Sequence, residues 1–197
     1  MKITDIKQQV KRAGRYSIYL DGKYTFSLGE NELLKLGLYS GQELTEEELA
    51  NYQDESEYGK WFDRTLNLLS YRIRSEWELR DYLKRKDADP DTIDKILNKL
   101  SDTGYVNDEQ FAKRWVENRR LMKATSKRRL AQELRQKHIS SEIIDQALAE
   151  DETDERAVLK ELVEKMRRRY PEDIKLMQYL ARQGYNYDDI KSALNEE

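Results

Sequence analysis

The sequence predicts a mainly α-helical protein. Three tandem three-helix repeats of helix-turn-helix layout form an elongated array, preceded by a small N-terminal β-hairpin region. Three observations predict it. One apolar spacing occurs three times, as Leu79, Leu83, Ile93, Leu97, then Leu130, Leu134, Ile144, Leu148, then Leu176, Leu180, Ile190, Leu194. Each pair four apart marks one helical face. Near the N-terminus, alternating apolar residues flank Asp21-Gly22, a strong hairpin signal. Finally, apolar and charged residues each make up 38% of the chain, against roughly 45–50% and about 25% in average globular chains. Thin helical cores with much wet surface suit that balance better than one thick core.

In chain order, Tyr16, Ile18 and Leu20 form one expected strand and Tyr24, Phe26 and Leu28 the next, with KITDIKQQVKR adding a third. GENELLKLGL reads as a short helix, and SGQELTEEELANY as another, with Thr45 and Glu48 as a capping box. From about Ser56 onward only helices are expected. Tyr58, Trp61, Phe62, Thr65, Leu66 and Leu69 share helical spacing, and Ser75 with Glu78 opens the next helix as a second capping box. Asp89 then caps a helix that starts at Pro90, and Gly104 follows its end. The second repeat opens at Asn107-Asp108 with Phe111, Trp115 and Met122 on one face, and the third opens near Thr153. The expected limits are 1–55 for the hairpin region and 56–105, 106–150 and 151–197 for the repeats. The repeat offsets of 51 and 46 residues sit at the edge of the range typical of stacked helical units.

No active site is legible. His138 is the only histidine and falls at the turn position matched by Asp87 and Gly184; with no named partner group for catalysis, it is assigned a structural or solvated role. No glycine pattern of the Walker A type exists. Asp87, Asp89 and Asp91 alternate as in a calcium loop, but Thr92 and Asn98 stand where such a loop needs Gly and Glu. With no cysteine, thiolate zinc sites and disulfides are excluded. No metal or other cofactor is expected. The start MKITDIKQQV lacks an apolar h-region, and no stretch approaches the ~18 apolar residues of a membrane span. A soluble, cytoplasmic monomer with no membrane contact is the expectation. Trp61 and Trp115 are expected in cores, and Tyr71, Tyr105, Tyr170 and Tyr185 pack near helix ends with wet hydroxyls.

Charge carries the functional signal. The formal charge of −3 conceals segregation: residues 42–58 hold seven acids and no base, whereas residues 113–137 hold ten bases and two acids. Counting 100° per residue, Arg128, Gln132 and Arg135 lie opposite the Leu130/Leu134 stripe, and Lys113 and Arg120 lie opposite Phe111, Trp115 and Met122. Arg119, Lys123, Lys127 and Arg129 fill the linking stretch. These bases are free to face a polyanion, either a phosphate backbone or an acidic protein groove. A weaker cluster (Arg72, Arg74, Arg80, Lys84, Arg85, Lys86) surrounds the first repeat, and another lies in KMRRRYP. A helix-turn-helix DNA-binding regulator is the alternative, but the helix SSEIIDQALAE is acidic, which argues against base readout. A metal-dependent nuclease needs a converging carboxylate cluster that the sequence does not place.

Several ordered segments resemble one family. GYVNDEQFAKRWVENR resembles the Gly-Tyr, acidic-pair, Phe-Ala and Trp-Val signature of the RecX recombination regulators. RSEWELRDYLKRK resembles their Arg-Ser-x-x-Glu-Leu helix, and RRLAQELRQKHISSEIIDQAL their second-repeat Leu-x-x-Glu-Leu segment. YLDGKYTFSLGENELLKLGLYSGQELTEEEL is similar to the amino-terminal region of Gram-positive members. The chain departs from the family at Asp87, where many members have Gly, and at Tyr82, where a charged residue is common. The resemblance implies three tandem three-helix repeats and a non-enzymatic role: binding the RecA recombinase in the groove of its filament on DNA and restraining its ATPase and strand exchange. Single- or double-stranded DNA is then a secondary, non-specific partner. Charge and helix geometry nominate Lys113, Arg120, Lys123, Lys127, Arg128 and Arg135 as contacts to the filament or its DNA, and secondarily Arg72, Arg74 and Arg85. The family supplies only the partner.

Overall fold

A computed structural model of the chain describes residues 1–122 and 124–195. Its elements are β1 (Ile3–Gln8), β2 (Arg15–Leu20), β3 (Lys23–Gly29), α1 (Glu30–Leu36), α2 (Glu46–Tyr71), α3 (Glu76–Lys84), α4 (Pro90–Asp102), α5 (Asp108–Met122), α6 (Lys127–Arg135), α7 (Ser141–Ala149), α8 (Glu155–Arg167), α9 (Asp173–Arg182) and α10 (Tyr187–Asn195). The protein is mainly helical behind a small antiparallel sheet of order β1-β2-β3. Two units can be distinguished, Met1–Arg72 with Tyr82–Leu100, and Ile73–Asp81 with Ser101–Glu197.

In the first unit the expected hairpin forms. Leu20 pairs with Lys23 across a two-residue turn, and Asp21 and Gly22 take φ of 46° and 81°, as a type I′ turn requires. The sheet buries Ile3, Ile18, Leu20, Phe26 and Leu28 together with Leu38 and Leu44. Arg15 is buried as well, 6% exposed. Its guanidinium donates to Ser27 Oγ (2.9 Å), Ser27 O (3.1 Å), Ser56 O (3.2 Å) and Asp63 Oδ2 (3.1 Å). That satisfies a buried cation and ties β2 to α2.

The Thr45–Glu48 capping box is present, but the two helices read from the sequence around residues 46–52 and 58–69 are one 26-residue helix, α2. The 55/56 position lies inside it. The reason is local. No Pro interrupts the segment, and one Gly, Gly59, costs only about 1 kcal/mol in a helix. Glu46, Glu47 and Glu48 in the first turn favour the helix through its dipole, and Trp61 and Thr65 are buried farther along it.

The apolar repeat is matched by a backbone repeat. Asp87 and His138 have φ of 57° and Gly184 of 95°. At each, the N–H bonds the carbonyl three residues back: Asp87 to Lys84 (3.0 Å), His138 to Arg135 (2.9 Å), Gly184 to Ala181 (2.9 Å). The following N–H bonds five back, Ala88 to Leu83 (3.2 Å), Ile139 to Leu134 (3.2 Å) and Tyr185 to Leu180 (3.4 Å). This is a Schellman motif, and both members of each apolar pair (Ala88/Leu83, Ile139/Leu134, Tyr185/Leu180) are buried. Asp89 caps α4 by accepting from Thr92 N (3.0 Å), and Gly104 takes φ of 73° after that helix. Because a left-handed residue with a Cβ is strained, Asp87→Gly is expected to stabilise the protein by about 0.5–1 kcal/mol. A urea midpoint that rises supports this; one that falls means the Asp87 side chain is stabilising in place.

Within the second unit, α5–α7 enclose Phe111, Ala112, Val116, Leu130, Leu134, Ile139 and Ile144. Helices α8–α10 enclose Leu159, Leu162, Val163, Leu176, Leu180, Tyr185 and Ile190. Met122, expected on the α5 core face, is 79% exposed. The stripe is instead Phe111, Ala112, Trp115 and Val116, and Met122 lies beyond the part of α5 that α6 and α7 cover. Tyr185 corrects another expectation, because its hydroxyl is buried without a hydrogen-bond partner among the described residues. Burial pushes its pKa up to about 12, aided by the Glu155 charge.

One joint occurs twice in this unit. Ser75 Oγ accepts from Glu78 N (3.3 Å) and donates to Lys137 O (3.1 Å), while Glu76 N donates to Asp108 Oδ1 (2.9 Å). Equivalently, Ser126 Oγ accepts from Arg129 N (3.1 Å) and donates to Gln183 O (3.1 Å), while Lys127 N donates to Glu155 Oε1 (2.5 Å). In both, a helix-capping serine reaches the carbonyl just before a left-handed turn residue, and an acid in the first turn of a following helix takes the next N–H. Glu78, the expected capping-box acid, binds Lys137 Nζ at 2.6 Å. His138 completes the first joint by stacking on Trp77, with centroids 4.0 Å apart.

Candidate polyanion-binding face

The bases nominated from the sequence separate into two groups. Arg120 is not free. Its side chain is 10% exposed, and it donates to Asp151 Oδ2 through Nε (2.9 Å) and Nη2 (2.6 Å) and to Thr125 O through Nη1. Lys127 is also engaged, its Nζ donating to Leu148 O (3.1 Å) and Asp151 O (2.8 Å). It satisfies carbonyls at the C-terminal end of α7, which a cation suits. Lys113 is exposed and paired with Glu150 at 2.7 Å, whose hydrogen bond and charge raise its pKa. Lys123 lies outside the described residues.

Arg128 and Arg135 fit the sequence geometry. Both are exposed on α6, with exposed Gln132 between them, and neither forms an ion pair among the described residues. Positions 128, 132 and 135 make one outer stripe, because Leu130, Ala131 and Leu134 bury the opposite side.

Beside that stripe lies an arrangement the sequence did not show. Trp115 Nε1 donates to Glu133 at 3.0 Å, and Glu133 also holds Arg119 Nε at 2.8 Å and lies 3.7 Å from Arg129 Nε. The Arg119 guanidinium and Lys137 Nζ lie 4.9 and 5.4 Å from the Trp115 ring centre, within cation–π range. Trp115 and Glu133 thus organise three cations next to the free pair. A signal did exist: Trp115, Arg119, Arg129, Glu133 and Lys137 are all visible in the sequence, but only packing of α5 on α6 brings them together.

Helix α7 has the opposite character, with Glu142, Asp145 and Glu150 exposed. The outer stripe of α6 is positive and the outer face of α7 negative. That polarity is wrong for a recognition helix lying in a DNA groove. The secondary bases are split: Arg72 and Arg85, both exposed, belong to the first unit, and half-buried Arg74 to the second. None of the three is free. Among the described residues, no three His, Asp or Glu side chains group as a metal site, and no helix is long and apolar enough to cross a membrane.

Comparison with known proteins gives a consistent picture. Family models match three segments: the Regulatory protein RecX N-terminal domain over residues 1–45, the RecX first three-helix domain over 62–100, and the RecX second three-helix domain over 107–148. The chain is 36% identical over 200 residues to Regulatory protein RecX of Listeria welshimeri, covering 98% of this chain and 74% of that protein. To its Bacillus subtilis counterpart it is 34% identical over 201 residues, covering 98% and 76%. A crystal structure of regulatory protein RecX superposes with a TM-score of 0.78 at 32% identity, covering 98% of both chains. RecX from Lactobacillus salivarius gives 0.63 at 29% identity, covering 71% of this chain and 96% of that one.

Proposed function

The chain belongs to the RecX family of regulatory proteins, and from that premise we propose that it binds the RecA recombinase filament on DNA and restrains its ATPase and strand exchange. It does so without catalysis or a cofactor, as a cytoplasmic monomer, with DNA a secondary and non-specific partner. The observation that carries this reading is the α6 stripe, where Arg128 and Arg135 are exposed and unpaired among the described residues. Beside it Arg119 and Lys137 lie against Trp115, each paired with an acid, Glu133 and Glu78. Such a surface suits a polyanionic or acidic groove. The acidic outer face of α7 sets this apart from sequence-specific helix-turn-helix binding.

RecA-dependent ATP hydrolysis on single-stranded DNA, titrated with substoichiometric protein, tests it. The wild-type chain inhibits. Arg128→Glu with Arg135→Glu raises the concentration for half-inhibition by at least about tenfold, because each lost phosphate contact is worth close to that at 0.1 M salt. Both side chains point away from the core, so the circular dichroism spectrum is unchanged. A wild-type protein that leaves hydrolysis untouched sinks the reading.

A further inference from the structure

The first unit carries a second basic feature. No acid occurs from Ile6 to Leu20, a run that contains Lys7, Lys11, Arg12 and Arg15. Arg15 is consumed by its contacts to Ser27, Ser56 and Asp63, and Lys7 pairs with Asp5 at 3.1 Å. Lys11 and Arg12 remain exposed in the turn between β1 and β2, and neither side chain forms an ion pair or hydrogen bond among the described residues. Next to them Val10 is fully exposed, at 102% of its reference surface.

The turn is built rather than loose. Gln9 N donates to Arg15 O (2.8 Å), Arg15 N to Arg12 O (3.2 Å) and Glu30 N to Gly14 O (2.8 Å). Gln9 Nε2 donates to Ser17 Oγ (3.0 Å), and Gly14 supplies a φ of 77°. A turn fixed in this way loses little entropy when it binds. Apart from Arg12, the charged side chains of the adjoining cleft of about 780 Å³ are Arg15, Lys60 and Arg64 with Glu30, Glu32 and Asp63. It is close to neutral, so the anion-attracting feature is the apex and not the cleft.

We infer that the β1–β2 turn is a separate contact for duplex DNA, with Lys11 and Arg12 against backbone phosphates and Val10 directed into the minor groove. An exposed apolar side chain followed directly by two cations matches the chemistry of groove-inserting proteins. Single-strand platforms instead stack bases on aromatic rings, and residues 9–14 hold none. The inference needs no RecA and stands apart from the reading of α6.

Fluorescence anisotropy tests it, using the full chain alone with a labelled A·T-rich duplex and a single strand of equal length. Lys11→Gln with Arg12→Gln weakens duplex binding about tenfold or more at 0.1 M salt and lowers the slope of log affinity against log salt by about 1.8. Val10→Asp weakens duplex binding while leaving single-strand binding unchanged. The Arg128/Arg135 reversal keeps the turn's share of duplex affinity. Duplex affinity and salt slope that do not move in the Lys11/Arg12 variant overturn the inference, as does an equal loss on both DNA forms. RecA ATPase inhibition by the same proteins is read separately, so the proposed function and the turn contact stand or fall independently.

Discussion

Arg120→Ala is expected to cost about 3–5 kcal/mol of stability, as removing one partner of a buried ion pair does. The guanidinium and the Asp151 carboxylate are only 10% and 6% exposed. Arg120 alone supplies two hydrogen bonds to that carboxylate, and Thr153 Oγ1 and N supply two more at 2.5 and 3.3 Å. Without Arg120 a negative charge is left in a site too dry to hold it. The pH dependence gives a second readout. Burial opposes the charged form of Asp151, but the hydrogen bonds from Arg120 and Thr153 and the Arg120 charge outweigh it and hold the carboxyl below its usual range. A depressed folded pKa stabilises above the unfolded value of about 3.9 and is lost as pH falls through the folded one. Wild-type stability therefore drops on acidification through that window. In Arg120→Ala the hydrogen bonds from Thr153 remain but those of Arg120 and its charge are lost, so the carboxyl moves upward and the gap between variant and wild type narrows on acidification. Urea denaturation at pH 7 and pH 4 measures both. A variant of wild-type stability with weakened RecA inhibition would restore Arg120 to the contact role that the helical wheel assigns it.

Gly184→Ala is expected to cost about 2–4 kcal/mol, from left-handed strain and overpacking together. Asp87 and His138 show that a side chain is tolerated at this turn position when φ is 57°. Gly184 differs in two ways. Its φ is 95°, and a Cβ there would stand 2.3 Å from Ser126 Oγ, 2.8 Å from Arg129 Cβ and 3.1 Å from Arg129 N. Ser126 cannot simply turn aside, because its hydroxyl caps α6 and bonds Gln183 O. The strain therefore falls on the joint. Hydrogen exchange should show lost protection in α8–α10, with the β1–β3 amides unchanged. Uniform protection with an unchanged urea midpoint would mean that the turn has room to shift.

What the sequence reveals here is what a chain segment decides for itself. The Leu and Ile stripes, the Asp21-Gly22 hairpin, the Thr45 and Asp89 caps and the matched turn at Asp87, His138 and Gly184 all rest on local geometry, and all are present in the structure. The candidate site was only half legible. A helical wheel gives the direction in which a side chain leaves its own helix, and Arg128 and Arg135 are exposed as it predicts. It does not give what another segment brings toward that side chain. Asp151 reaches Arg120, and the carbonyls of Leu148 and Asp151 reach Lys127, from 21 to 31 residues farther along the chain. Arg15 escaped notice for the same reason: nothing in RYSIYL announces that α2 will bring Asp63 to it. The length of α2 was missed because its middle, around Glu55–Gly59, is polar and carries a glycine, yet holds no residue that ends a helix.

The serine-to-carbonyl joint separates two kinds of information. It draws on a capping hydroxyl, main-chain groups and one acid per joint. None of these positions overlaps the outer stripe of α6 or the exposed acids of α7. The connection between neighbouring copies is therefore written in one set of residues, and what each copy shows to a partner in another. A substitution at Arg128, Gln132 or Arg135 rewrites the second text without touching the first. Tandem copies built this way can diverge in charge one at a time, so that a single scaffold comes to grip a partner whose surface changes along its length.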